Sequence, residues 1–348
     1  MPQEPQITSH PSRPVGASES PFASAQSEPA TDVRSALGDA IAQLEREGVP
    51  SAALAAELLL MHALQHDRAW IYAHPELQLD AGAREKYFSL IAQRAGGVPT
   101  QHLTGHQEFW GLDFEVTPDV LIPRPETEHV IEVALDRLGI SADTDSTRRK
   151  AELQIADVGT GSGCIAVSLA HELRGAHIFA TDISAAALEV ARRNASRHEV
   201  ASRIDFSECN LLDVMLGQSA ATPHAGARQA SHSSRRRSAS ESRHFDLIVS
   251  NPPYIGREES ATLPREVREH EPESALLGGA VGTEMYAPLI AQAAMLLKPG
   301  GILVLELGHT SAQHVSDLLS GAEWTNVAIT HDLAGIARVA SAQRRTDI

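Results

Sequence analysis

D-V-G-T-G-S-G, residues 157–163, closes an apolar run at Leu153–Val158 and opens a helical pattern at Cys164–Leu173. Glycine at alternate positions lets a backbone turn sharply out of a strand and lets a ligand approach with no Cβ in the way. A tight strand–helix turn needs no ligand, so the glycines alone decide little. The next strand, Ile178–Thr181, ends in Asp182, about 20 residues after the glycines, where a carboxylate would meet the hydroxyls of a bound ribose. An NAD site would carry G-x-G-x-x-G with a pyrophosphate on the helix N-terminus. Here the spacing is G-x-G-x-G, preceded by Asp157. Outward from this loop the patterns keep alternating, with helices at Ala185–Ser196 and Met285–Leu297 and strands at Ile204–Ser207, Phe245–Ser250 and Ile302–Glu306. That alternation predicts an α/β fold with a mainly parallel, doubly wound sheet.

S-N-P-P-Y-I, Ser250–Ile255, follows the strand expected to be fourth and faces the same crevice as the glycine loop. Two prolines end a strand on their own, so the flanking amide and ring mark either an ordinary loop or a clamp for something flat and polar. Upstream, Val33, Leu37, Ile41 and Leu44 recur at helical spacing and stop at Gly48-Val49-Pro50. Further helices are expected over Ala52–Gln65 and Ala81–Arg94, the latter capped by Asp80, giving a small helical domain over residues 32–100. H-L-T-G-H-Q-E-F-W-G-L-D-F-E-V predicts a β-hairpin linker over 101–122, with Phe109 and Trp110 in its core. Pro-Arg-Pro-Glu-Thr-Glu, 123–128, then leads into a helix over Glu126–Leu138 and the larger domain, 123–348. Residues 1–31, rich in Pro, Ser, Ala, Gln and Glu, are expected to be a disordered tail. The Ser/Arg/His-rich segment 216–243, with its Arg235–Arg237 cluster, is expected to loop out as a solvated insertion.

The net charge of −16 argues against tight, sequence-independent binding of nucleic acid, which needs clustered Lys and Arg. No apolar run approaches the ~20 residues of a membrane helix, and the first residues lack the charged and apolar regions of a secretory signal. Two cysteines, Cys164 and Cys209, make neither a disulfide framework nor a metal set and fit a reducing cytoplasm. His62 and His66 stand four apart on a predicted helix, but without a third ligand they do not make a metal site.

The glycine loop with its leading Asp157 resembles motif I of the class I S-adenosylmethionine-dependent methyltransferases. N-P-P-Y resembles the motif of methyltransferases whose acceptor nitrogen is conjugated to a π-system, an adenine amine or a carboxamide. Such a nitrogen is a poor nucleophile because its lone pair is delocalised. The Asn251 side-chain oxygen and the Pro252 carbonyl can each accept from one N–H, while Tyr254 packs on the planar group and Pro252 and Pro253 keep the loop rigid. No dedicated general base is required. L-I-P-R-P-E-T-E (121–128), H-E-P-E-S-A-L (270–276), L-K-P-G-G-I-L-V-L-E-L-G (297–308) and R-A-G-G-V-P-T-Q-H-L-T-G (94–105), with the two motifs above, resemble the PrmC/HemK family over about residues 33–341. That resemblance implies a Rossmann-like, seven-stranded catalytic domain behind a helical domain that docks a peptide chain release factor. It implies methylation of the N5 amide of the glutamine in the Gly-Gly-Gln motif; separately, the chain is expected to act as a monomer. It also implies that Gly159, Thr160, Gly161, Ser162 and Gly163 lie along the cofactor's methionine and ribose, that Asp182 takes the ribose hydroxyls, and that Asp157 organises the loop or the cofactor's amino group. Asn210 stands where the family usually has an acidic residue; with Leu211 it is expected at the adenine. Glu126 and Glu128 are expected to shape the acceptor pocket or cap a helix rather than act as acids. An adenine-N6 nucleic-acid methyltransferase is the alternative enzyme, and a catalytically silent cofactor-binding scaffold is the alternative outside enzymes.

Overall fold

The computed structural model describes residues 31–140, 151–217 and 244–346. The expected tail, except Thr31, and the expected insertion, except Leu216 and Gly217, lie outside the described residues. Helix α1 (Val33–Arg46) starts where the Asp32 side chain accepts from Ser35 N and buries Val33, Ala36, Ala40 and Leu44. It packs on α2 (Ala52–Leu64), which is followed by α3 (Arg68–Ala73) and α4 (Ala81–Ala95). Asp67 and Asp80 cap α3 and α4 in the same way as Asp32, each cap contributing about 1 kcal/mol. Tyr87 is fully buried among these helices, and its hydroxyl donates to the Ala56 carbonyl. His66 stacks on Trp70 at 3.6 Å, which gives that ring a packing role.

Within the stretch 101–122, a short helix α5 (Thr100–Thr104) is followed by a hairpin of β1 (His106–Phe109) and β2 (Leu112–Glu115). Trp110 and Gly111 both take positive φ at its tip, the conformation a two-residue hairpin turn demands. Phe109 is buried, whereas Trp110 packs on the core from its edge. The chain then runs through α6 (Glu128–Arg137), β3 (Gln154–Val158), α7 (Cys164–Glu172), β4 (His177–Asp182), α8 (Ala185–Arg197), β5 (Ile204–Glu208) and β6 (Phe245–Ser250). It continues through β7 (Ile255–Gly256), α9 (Arg265–His270), α10 (Glu273–Leu276), β8 (Leu277–Gly279), α11 (Tyr286–Leu296), β9 (Leu297–Glu306), α12 (Ala312–Leu318), β10 (Trp324–His331) and β11 (Ala337–Arg344). The helix expected from Glu126 opens as a 3-10 turn, Pro125–Thr127, before α6.

The sheet has seven strands in the order β10-β11-β9-β6-β3-β4-β5. Five are parallel, and β11 runs antiparallel between β9 and β10. Neighbouring residues in each central strand go to opposite faces. Ile155, Leu247 and Val304 meet α6 and α7, whereas Ala156, Ile248 and Leu303 meet α11 and α12. Burial on both sides is why these strands read as unbroken apolar runs. The chain leaves β3 towards β4 and β5 and returns to β6 on the other side of β3. That reversal opens a crevice above the carboxyl ends of β3 and β6. No helix among the described residues is long and apolar enough to cross a membrane.

Candidate active site

At this crevice lies a cavity of about 320 Å³ lined by the glycine loop, the end of β4, Asn210, Leu211 and the Asn251–Pro253 segment. Gly159, Gly161 and Gly163 all take positive φ, at 72°, 55° and 82°. A Cβ on Gly159 or Gly161 would meet nothing within 4 Å, so open space stands in front of both. Gly163 does a different job: a Cβ there would lie 3.1 Å from that of Ala191, so its bareness serves packing on α8. Thr160 and Ser162 line the cavity with the loop.

Asp157 is fully buried behind the loop and off the cavity wall. Its Oδ2 accepts from Thr160 Oγ1 at 2.7 Å and from Ala166 N at 3.1 Å. Burial pushes its pKa up to about 7 against the pull of those two bonds. Of its two expected tasks, organising the loop is therefore the one its contacts serve. Asp182 ends β4 with its Oδ2 accepting from Gly161 N and Oδ1 from Ser184 N, each at 2.9 Å. Burial raises its pKa while those backbone donors lower it. Both oxygens are thus oriented by the backbone and keep lone pairs for a ligand. Leu211, at φ 47°, and Asn210 border the cavity beside Asp182.

On the opposite side, Ser250 Oγ donates to the Val158 carbonyl at 2.7 Å and ties the ends of β6 and β3 together. Asn251 Nδ2 donates to Thr127 Oγ1 at 3.1 Å. Tyr254 is not on the cavity wall: its ring packs against the core on the α11 side, and its hydroxyl donates to Glu306 Oε1 at 3.3 Å. Its expected place against a planar substrate is therefore not where the ring lies, since it packs on the core beside Glu306 instead. Burial, with the Glu306 charge, raises its pKa. Glu306 is itself 2% exposed, and burial pushes its pKa up to about 7.

Glu126 and Glu128 stand off the wall: Glu128 accepts from Trp110 N at 2.8 Å, and Glu126 lies 3.8 Å from Arg338. The acceptor side is instead closed by an ion pair between Arg124 and the buried Glu271, which also accepts from Ile122 N at 3.1 Å. Asn194 of α8 links the hairpin to the glycine loop, donating to the Glu115 and Ser162 carbonyls. Thr127, Glu271 and Glu306 fall inside P-R-P-E-T-E, H-E-P-E-S-A-L and L-K-P-G-G-I-L-V-L-E-L-G, but nothing in the sequence gives them a place at the site; Asn194 lies in none of these motifs.

The donor set suits S-adenosylmethionine: a bare backbone face at Gly159 and Gly161, a carboxylate with both oxygens oriented, and flanking apolar side chains at Ile183 and Leu211. A doubly wound sheet carrying this glycine loop, an acidic end to its second strand and N-P-P-Y on its fourth defines a class I methyltransferase. A model of the PrmC N-terminal domain matches residues 35–105, and one of a methyltransferase domain matches 149–332. The release factor glutamine methyltransferase of Koribacter versatilis is 40% identical over 314 residues, covering 90% of this chain and 99% of that protein. The protein of the same name from Moorella thermoacetica is 40% identical over 316 residues, with the same coverage. Among solved structures, the hMettl16 catalytic domain in complex with a MAT2A 3'UTR hairpin is 18% identical at a TM-score of 0.49, covering 74% of this chain and 82% of that one. The chain belongs to the release factor glutamine methyltransferase family.

Proposed function

We propose that this protein methylates the side-chain amide nitrogen of the glutamine in the Gly-Gly-Gln motif of release factors, acting as a monomer in the cytoplasm. The observation that carries the reading is the Asn251 amide, held at the cavity wall by its nitrogen so that its oxygen is free to accept. S-adenosylmethionine, when bound, supplies an electrophilic methyl on a sulfonium centre. Gly159, Gly161, Asp182, Asn210 and Leu211 would hold it, with Thr160 and Ser162 beside them. Asn251 Oδ1 and the Pro252 carbonyl each take one N–H of the substrate amide. Two fixed N–H bonds leave the nitrogen a single orientation, and acceptors opposite them enrich its electron density. Pro252 and Pro253 limit the freedom of the loop that carries both acceptors. Tyr254 supports the loop from behind. The helices up to Ala95 would dock the body of the release factor.

The test is transfer of label from S-adenosylmethionine to a release factor. Label on the factor, abolished by a Gln→Ala change in its Gly-Gly-Gln motif, is the expected result. Label on adenine in DNA or RNA instead would replace this reading with the adenine-N6 alternative. Asn251→Ala should lower turnover by about a hundredfold while leaving cofactor affinity near wild type.

A further inference from the structure

We infer that the tip of the β10–β11 hairpin, Asp332–Ile336, is a rigid apolar contact for the body of the release factor beside its target glutamine; the inference rests on a release factor being the substrate, as proposed above. Leu333, Ala334, Gly335 and Ile336 are four consecutive exposed residues with no polar side chain among them. Leu333 is fully exposed and Ile336 38% exposed. Surface turns are ordinarily built from polar residues, glycine and proline, and a single exposed apolar side chain is common. A run of four is not, unless something covers it.

The polar work of this turn is done from its base by Asp332. Its Oδ1 accepts from Ala334 N and Ile336 N at 2.9 Å, and its Oδ2 from Arg338 Nε at 2.8 Å. Asp332 N donates to the Ile336 carbonyl and Gly335 N to the Asp332 carbonyl, both at 2.9 Å. Gly335, at φ 78°, supplies the left-handed step. Five bonds thus fix the backbone while Leu333 stands away from the protein. A backbone already ordered has little entropy left to lose when a partner covers it.

Strand register says what reaches the tip. Ser250, Leu305 and Ala340 lie level across β6, β9 and β11. Beyond that level β6 leads one residue on to Asn251, whereas β11, traced back from Ala340, leads four residues on to Ile336 in the same direction. At about 3.3 Å per residue the tip rises roughly 10 Å past Asn251, and it stands two strand spacings, also roughly 10 Å, to one side. Arg338 ties its base to the acceptor wall. The Arg338 carbonyl accepts from Leu307 N at 2.8 Å, and its guanidinium lies 3.8 Å from Glu126, which stands in sequence between the cavity-lining Arg124 and Thr127. A glutamine side chain can enter the cavity without touching the tip; the protein that carries it, seated over the carboxyl ends of the strands, meets it. The occupant is accordingly an apolar patch of the factor close to its Gly-Gly-Gln motif.

The test measures kcat and KM for wild type, L333S, L333D and L333M in the full chain, with an intact release factor and with a short Gly-Gly-Gln peptide. L333S should raise KM for the factor about tenfold, the order expected when burial of one leucine is lost, and L333D by at least as much. Their kcat, their KM for the peptide and their circular dichroism should stay near wild type. L333M keeps an apolar side chain of similar volume and should bind the factor nearly as well as wild type. An unchanged factor KM in L333S and L333D, or a rise shared equally by the peptide, would overturn the inference. Unchanged factor KM with a loss of self-association in sedimentation would assign the tip to a second copy of the chain instead. Failure of the wild type to transfer a methyl group to glutamine in either substrate would remove the proposed function, and the inference with it.

Discussion

Asp157 shows how a motif residue can be legible while its work is not. The sequence places it close before the glycines; only the fold shows it buried, with Oδ2 on Thr160 and Ala166 and Oδ1 without a partner among the described residues. An unfolded aspartate titrates near ~3.9, whereas burial holds this one at about 7. Between those values the folded state binds more protons than the unfolded state, so this residue's contribution to stability falls as pH rises from about 4 to about 7 and stays low above that. Asp157→Asn removes the ionisation and keeps an oxygen to accept both hydrogen bonds. Urea unfolding without cofactor should therefore find D157N more stable than wild type at pH 8, by up to roughly 4 kcal/mol, with the difference closing towards pH 5. A difference that does not change with pH would show that Asp157 is not held neutral by its surroundings. Thr127 and Glu306 are the opposite case. They meet Asn251 and Tyr254 respectively across 124 and 52 residues of chain, which no local pattern encodes.

The elements that spacing made legible are those buried on both faces: β3, β4 and β6 appear as apolar runs and were expected within a residue or two. β10 and β11 were not anticipated. β10 is the sheet edge and exposes Asn326, Val327 and Ala328, while β11 is built largely of Ala, Ser, Arg and Gln, so neither shows clear alternation of large apolar and polar residues. The short parallel pair β7–β8 was also invisible, yet it holds the N-P-P-Y loop. Gly278 and Gly282 press against that loop so closely that a Cβ would lie 2.3 Å from the Pro253 carbonyl oxygen or 2.4 Å from that of Tyr254. Gly282 also sits at φ +94°, where any other residue is strained. Gly282→Ala must therefore move the N-P-P-Y backbone. Because misplacement by about 1 Å can cost on the order of a hundredfold in rate, G282A should lose turnover by that order while circular dichroism and cofactor binding stay near wild type. Unimpaired turnover in G282A would mean that β7–β8 does not set the position of the loop.

At the scale of the molecule, the N-terminal helices reach the cavity through a chain of ionic contacts rather than directly. Arg94 of α4 is 5% exposed and donates to Glu266 of α9 at 2.5 Å, while Gly97 leaves room for the side chain of Arg265. α9 leads into Glu271, whose carboxylate pairs with Arg124 and takes Ile122 N, and then into Pro272, Ser274 and Ala275 on the cavity wall. R-A-G-G-V-P and H-E-P-E-S-A-L were both legible as motifs, but the bond from Arg94 of the first to Glu266, 172 residues on and just ahead of the second, was not. Removing one partner of a buried pair costs about 3–5 kcal/mol; Glu266 keeps 29% of its side chain in solvent, so the loss here should be nearer ~2 kcal/mol. Arg94→Ala should accordingly lower the unfolding midpoint. It should also raise KM for an intact release factor more than for a short Gly-Gly-Gln peptide, because the peptide needs the cavity wall but not the helices docked against it. In a double-mutant cycle with Glu266→Ala the two losses should fail to add, by about 0.5–3 kcal/mol. Strict additivity, together with equal effects on factor and peptide, would show that the helices and the cavity wall are independent despite the bond between them.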